Sequence, residues 1–422
     1  MKILHFGDIH ARDANISELE KCFEAVIEGA AEARPDLIVN TGDTFDRRDI
    51  TLASEASRVV FSAFSRLSEV APIAVLLGTP SHDGVAPKLL RFAELGHNIL
   101  VSAEMPETFV MVRGNLFREE KQDPGSVEAV VSMVPGITKK YWGSAADIEG
   151  ADREISEAMG DIFGGFAAGF VDRMYNCPHI LVGHFSVEGA VIMENQTMTG
   201  REVVVTADQL RMSGADLVCL GHLHKAQKIE SNIYYNGSLY PLNFGEIEAK
   251  GFWIHEDVQE GEEFESRFVE IPSRKMIKME FDFTDEAVPD ITLRLQEALL
   301  KFNEDYTANA LRSDKKSIAL DNVVFRGVFR VWQDQAAEID QAAVARSFAA
   351  LGVGRTDVQV IRVPRENVRS ERLLRLDSLR EKVQERAALA GEDVAESILR
   401  KCDVLEMTDL DGVVAGITVF QE

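Results

Sequence analysis

The sequence predicts an α/β protein with a core of buried, largely parallel strands, followed by a smaller α/β domain and C-terminal helices. Three observations carry this. Short runs rich in β-branched residues each stop at a glycine. Helix-length segments separate the first of these runs. An aspartate or histidine follows each glycine, at once or within a few residues. Strands covered on both faces read as continuous apolar runs, without the alternation of half-exposed strands.

The elements follow in order. "KILHF" ends at Gly7-Asp8-Ile9-His10, and a helix is expected over 17–33. "DLIVNT" ends at Gly42-Asp43, with a second helix over 52–70. "IAVLL" ends at Gly78 and leads to His82. "HILV" ends at Gly183-His184, and "DLVCL" at Gly221-His222-Leu223-His224. "SRFVEIP" reads as the last strand of a first domain, 1–272. Over 273–364, "KMIKMEFDF", "NVVFRGVFRVW" and "DVQVIRV" read as strands. "ITLRLQEALLKFNEDY" and "AAVARSFAAL" read as the helices between them, which makes a small α/β domain. From 365 to 422, Arg365, Arg369, Arg372, Arg375 and Arg380 alternate with acids. Leu373, Leu376, Leu379 and Val383 lie at helical spacing. Gly391 separates this helix from a second over 393–401, and "DLDGVVAGITVFQE" ends in an apolar run that reads as a strand. The segment is either a hairpin packed on its own domain or a docking element for a partner's coiled coil.

The chain of 422 residues is too long for one ordinary core. Its net charge of −25 argues against gripping nucleic acid through the whole surface, so such binding needs a site, a local basic strip or a partner. No apolar run approaches the roughly 20 residues that span a bilayer, and the N-terminus has no apolar signal region. Cys22, Cys177, Cys219 and Cys402 form no C-x-x-C pair, which fits reduced thiols in a cytoplasm. The expectation is a cytoplasmic protein with no membrane partner.

In parallel sheets, ligands bind beyond the carboxyl ends of the strands. One Asp-x-His or Gly-Asp can be a mere turn. Five glycine-marked strand ends, each leading to an acid or imidazole, exceed what packing requires. Carboxylate and imidazole without thiolate suit Mn²⁺, Fe²⁺ or Zn²⁺. The two oxygens of Asp43 can bridge a pair of cations. Such a pair, about 3.5–4 Å apart, clamps an in-line displacement at phosphorus.

Asp8-Ile9-His10, Gly42-Asp43-Thr44-Phe45-Asp46-Arg47, Gly78 with His82-Asp83, Gly183-His184 and Gly221-His222-Leu223-His224 resemble the calcineurin-like metallophosphoesterase pattern. That pattern is D-x-H, G-D-x-x-D-R, G-N-H-D/E, G-H and G-H-x-H. "MKILHFGDIH", "VNTGDTFDRRD" and "YYNGSLYPLNFGE" resemble its SbcD-type nuclease branch. The resemblance covers roughly the first 270 residues with specific motifs.

It implies a β-sandwich flanked by helices, then a small capping domain that helps admit DNA ends. It also implies two divalent cations, Mn²⁺ first, with Mg²⁺, Fe²⁺ or Zn²⁺ as alternatives. By the same resemblance, Asp8, His10 and His224 hold one cation, Asp43 bridges, and His184 and His222 hold the other. His82 lies over the phosphate as the catalytic acid, and Asp46 orients it. Arg47 is either a phosphate contact or a surface arginine. Ser81 stands where the family has a ligating Asn, and two extra residues separate Gly78 from His82. The missing oxygen comes from Ser81, Thr79, a backbone carbonyl or water.

The implied activity is a metal-dependent DNA nuclease in repair or recombination, an exonuclease on duplex ends and an endonuclease on single strands or hairpins. Its implied partners are DNA, an SbcC-like SMC-type ATPase and a second copy of the chain. The alternatives are a phosphatase or small-molecule phosphodiesterase on the same scaffold, which the acidic charge favours, and a scaffold with a degenerate site.

Overall fold

The structure is a computed structural model that describes residues 1–92, 99–119, 123–137, 148–193, 203–284, 322–364, 373 and 375–406. The chain divides into two compact units. The larger contains Met1–Phe281, and the smaller contains Phe329–Ile339 and the C-terminal helices.

In chain order the strands of the larger unit begin with β1 (Ile3–Phe6), β2 (Leu37–Asn40), β3 (Ile73–Val75) and β4 (Ile99–Val101). Next come β5 (Glu107–Val112), β6 (Asn115–Arg118), β7 (Ala129–Val134), β8 (His179–His184), β9 (Ser186–Val187) and β10 (Val204–Val205). Then follow β11 (Leu217–Gly221), β12 (Gln227–Glu230), β13 (Ile233–Tyr235), β14 (Gly251–Glu256) and β15 (Glu265–Glu270). The helices among them are α1 (Ile16–Ala33), α2 (Glu55–Ser68), α3 (Ile148–Asp172) and α4 (Ala207–Arg211).

The five motif-bearing strands do not share one sheet. β1, β2 and β3 lie in a six-stranded sheet, order β15-β14-β1-β2-β3-β4. β8 and β11 lie in a seven-stranded sheet, order β12-β13-β11-β8-β7-β5-β6. The core pairs are parallel in both: Phe6 lies opposite Asn40, Asn40 opposite Val75, and His184 opposite Gly221. Parallel registry therefore brings the motif-bearing ends of each sheet to one side.

The two sheets share a core. Ile3, Leu37, Val39 and Ala74 pack in one cluster with Met111, Val131, Ile180, Val182 and Cys219. A second cluster joins the first sheet to α1 and α2 through Leu4, Phe6, Phe23, Val26, Phe64 and Leu67. A third joins the second sheet to α3 and α4 through Phe163, Leu181, Leu210 and Leu220. The layers are thus helix, sheet, sheet, helix.

Local chemistry sets the helices. The buried residues of α1, among them Leu19, Phe23, Val26, Ile27 and Ala30, recur at three and four, and Arg34 ends the helix in the left-handed region at φ 51. α2 starts later than the expected residue 52, because the Ser54 hydroxyl accepts the Ser57 amide at 3.1 Å and caps the helix.

β16 (Lys275–Asp282), β17 (Val323–Trp332) and β18 (Arg355–Val363) form a three-stranded sheet, and α5 (Gln341–Ala350) stacks Phe348 on Phe325 at 4.2 Å. The helix expected over 291–306 and the strand expected at the C-terminus lie outside the described residues. α6 (Leu379–Ala390) begins after Leu376, because Ser378 and Glu381 form a capping box; Gly391 ends it at φ 69. α7 (Glu396–Leu405) pairs with it through Arg380, which binds Glu396 at 2.8 Å and Asp403 at 2.6 Å. Among the described residues, no helix is long and apolar enough to cross a membrane.

Three histidines in the larger unit are buried without charge. Burial lowers His5 to about 3 and His179 to about 4, and holds His255 well below its usual value. In the unfolded chain each protonates near 6.5. Between about pH 4 and 6.5 the unfolded state therefore binds more protons, and stability falls as pH falls, by about 1.4 kcal/mol per unit for each group. Urea midpoints measured with chelator are expected to drop steeply from pH 7 to pH 5. A flat profile across that window would contradict the buried, neutral state.

Candidate metal centre

The site is built on strand ends. Asp8 and His10 follow β1, Asp43 follows β2, His184 ends β8, and His222 and His224 follow β11. Four of these six bend the chain into the left-handed region: Asp8 at φ 46, His10 at 45, Asp43 at 46 and His222 at 92. For non-glycine residues this costs about 1–3 kcal/mol each and clusters at functional sites. Bonds between the loops hold the strain. The Asp8 amide donates to Gly42 O and the His10 amide to Asp43 O, each at 2.9 Å, and the His222 amide donates to Asp8 Oδ1 at 2.9 Å.

Donor atoms gather in three neighbouring groups: Asp8, His10 and His224; Asp43, His184 and His222; and His10, Asp46 and His82. Within each, the atoms lie within 4.8 Å of one another. Asp43 Oδ2 sits between the first two, 3.8 Å from His10 Nε2 and 3.2 Å from His184 Nε2. His10 packs edge-on against His82 at 4.7 Å and His224 at 4.9 Å, and His184 against His222 at 5.3 Å.

The residues fit a pair of divalent cations. Both ring nitrogens of His10 are buried and have no hydrogen-bond partner among the described residues, an arrangement that costs free energy without a ligand to satisfy it. His184 donates its Nδ1 proton to Thr41 O at 2.8 Å, which turns Nε2 toward Asp43 as the nitrogen a cation would use in place of its proton. His224 is fixed in the same way: its Nδ1 lies 3.0 Å from Glu246 Oε1.

Electrostatics follow from burial and neighbours. Burial alone would lower His184, but Asp43 and Asp8 outweigh it and raise the ring to about 9. Burial likewise works against Asp43, yet His184 and His10 hold its carboxyl well below the usual range. Burial keeps His10 neutral. Burial and then the charge of Asp43 raise Asp83 to about 7.

One sequence expectation needs correction, and two that were left open are narrowed. The Asp46 carboxylate does not orient His82; instead His82 Nδ1 lies 2.7 Å from the Asp46 main-chain carbonyl. The carboxylate points toward His10 Nδ1 at 3.9 Å and Arg12 at 3.5 Å. Arg47 is a surface arginine, 72% exposed and bidentate to Asp49 at 3.0 and 2.8 Å. Ser81 is exposed, and its carbonyl accepts the Arg48 amide at 3.0 Å.

Several supports lie inside the quoted motifs, where nothing in the sequence assigns them a role. Glu246 is buried and accepts bonds from Ser238 Oγ at 3.0 Å and Lys250 Nζ at 2.6 Å as well as meeting His224. Burial would raise its carboxyl, but His224 and Lys250 hold it down at about 2. Asn236 Nδ2 donates to Asp8 Oδ2 at 3.2 Å. Asp83 accepts the Phe45 and Gly78 amides at 3.2 and 2.8 Å, tying the β2 and β3 loops together. The visible cue for Glu246 is a buried-type Glu-x-x-x-Lys after a Gly/Pro-rich stretch close downstream of the last histidine motif.

Comparison with known proteins agrees with this geometry. The family model for calcineurin-like phosphoesterase matches residues 1–226. The chain is 31% identical over 312 residues to a Staphylococcus saprophyticus protein named as the D-subunit of nuclease SbcCD, covering 72% of this chain and 77% of that protein. It is 24% identical over 345 residues to the Staphylococcus epidermidis protein of the same name, covering 77% and 86%. A solved structure, GAP50, the anchor in the inner membrane complex of Plasmodium, aligns at 13% identity over 65% of this chain and 89% of that one. Its TM-score of 0.36 is too low to bear on the fold. The family model and the Staphylococcus saprophyticus relative, with the motif-bearing strand ends and the paired sheets, place the chain in the calcineurin-like phosphoesterase family.

Proposed function

We propose that the chain is a metal-dependent nuclease that hydrolyses DNA phosphodiesters in repair or recombination in the cytoplasm. It would act on duplex ends and on single strands or hairpins. The observation that carries the chemistry is the Asp43 carboxylate set between two histidine-rich groups. The preference for DNA, an SbcC-like SMC-type ATPase partner and a homodimer rests on likeness to the SbcCD nuclease proteins over most of the chain.

Two divalent cations, Mn²⁺ first, would supply Lewis acidity toward the phosphate and lower the pKa of water. Asp8, His10 and His224 would hold one, His184 and His222 the other, and Asp43 would bridge. His82 would act as the acid. Its Nδ1 proton is held by a carbonyl, which only accepts, so the proton that the doubly protonated ring would give to the leaving oxygen is the one on Nε2. Glu246 would fix the orientation of the His224 ring.

Glu246→Gln keeps the shape and the bond but removes the charge. It is expected to weaken one Mn²⁺ binding event by about 10–100-fold, read by calorimetry, with the other unchanged. Equal weakening of both events, or of neither, would contradict this role.

The functional reading is tested by Mn²⁺-dependent digestion of end-labelled duplex DNA, circular single-stranded DNA and p-nitrophenyl esters. Degradation of DNA is expected. Cleavage of the esters alone, even with an ATPase partner present, would replace the nuclease with a phosphatase or small-molecule phosphodiesterase, the reading that the net charge of −25 favours.

A further inference from the structure

We infer that the Thr79 hydroxyl, and not Ser81, is the neutral oxygen donor to the second cation, beside Asp43, His184 and His222. The inference rests on the two-cation reading and names a residue that reading leaves open.

The first argument is position. A Cβ on Gly78 would lie 2.1 Å from Asp43 N and 2.2 Å from Asp43 Oδ1. Only glycine lets the β3 loop press this closely on the bridging aspartate. The next residue is then locked in place: the Thr79 amide donates to Asp43 Oδ1 at 2.6 Å.

The second argument is size. Thr79 Oγ1 lies 3.3 Å from Asp43 Oδ2 and 3.1 Å from His184 Nε2, and those two atoms are 3.2 Å apart. Donors that each stand about 2.0–2.2 Å from one ion lie roughly 3.0–3.5 Å from each other. The triangle has the dimensions of ligands around a single cation.

The third argument is what the two extra residues do. The His82 and Asp83 amides both donate to Thr79 O, at 2.8 and 2.9 Å. Pro80 and Ser81 are thus looped out in one turn that returns His82 to its place beside His10. Ser81 is left on the exposed side, bound through its carbonyl to Arg48.

A neutral hydroxyl is a weak donor, so the second cation is the weaker of the two and loads last. Calorimetry with Mn²⁺ on the full chain tests this. Wild type is expected to show two binding events. Thr79→Val, nearly isosteric and still able to donate its amide to Asp43, is expected to weaken the second event at least about tenfold and leave the first unchanged. Thr79→Ser and Ser81→Ala should both keep wild-type binding. Two unchanged events in Thr79→Val, or a weakened second event in Ser81→Ala, would overturn the assignment. Should Thr79→Val lose its fold by circular dichroism, Thr79→Ala decides by the same criteria. A single event in wild type would mark failure of the two-cation reading itself.

Discussion

Asp43→Asn is expected to lower DNA cleavage by at least about a thousandfold at saturating Mn²⁺. The substitution removes one negative charge from the point where the two donor groups meet, 3.8 Å from His10 Nε2 and 3.2 Å from His184 Nε2. Several kcal/mol of charge stabilisation go with it, and each 1.36 kcal/mol is a factor of about ten in rate. The fold should survive. Asn keeps an oxygen to accept the Thr79 amide, the bond that Asp43 Oδ1 now makes at 2.6 Å. Thermal melting therefore separates chemistry from folding, and calorimetry should show no more than one tightly bound Mn²⁺. Near-normal turnover with two ions bound would mean that Asp43 does not bridge.

His82→Ala is the second large effect. The ring sits beside His10 at 4.7 Å and is steered by a main-chain carbonyl, so its loss should act on the transition state and not on metal capture. Single-turnover cleavage is expected to fall by about two to four orders of magnitude, the range of general acid catalysis. Metal stoichiometry and DNA affinity should stay at wild-type levels. Asp46→Ala separates the two views of the neighbouring residue. If the carboxylate oriented His82, its removal would carry over much of the loss. Because the carbonyl does so, Asp46→Ala should cost far less than His82→Ala, and the double variant little beyond His82→Ala alone. A metal lost from His82→Ala would make the histidine a ligand.

The strand ends were legible because each pairs a continuous apolar run with a glycine and an ionisable residue. Which sheet a strand joins was not. Strands covered on both faces look alike whether helices or a second sheet cover them, so the runs alone do not assign β1 and β8 to their sheets. The β5–β6 hairpin between them carries a muted turn signal. Its two-residue turn, Arg113-Gly114 at φ 52 and 68, has arginine where asparagine or aspartate would announce it. The candidate ligands were legible as types at spacings, and their side chains lie in two neighbouring groups. The finer roles were not. Sequence cannot show that Asp46 meets His82 through its carbonyl, nor that Thr79 lies inward and Ser81 outward. Glu246 ends the quoted "YYNGSLYPLNFGE", but its role was not legible: it lies 22 residues from His224, and only folding brings them together.

The central claim is that two cations share Asp43. Anomalous diffraction from crystals soaked in Mn²⁺ tests it most directly. The account predicts two peaks, one among Asp8, His10 and His224 and one among His184, His222 and Thr79, with Asp43 in contact with both. A single peak, or two that leave Asp43 without contact to one of them, would contradict it.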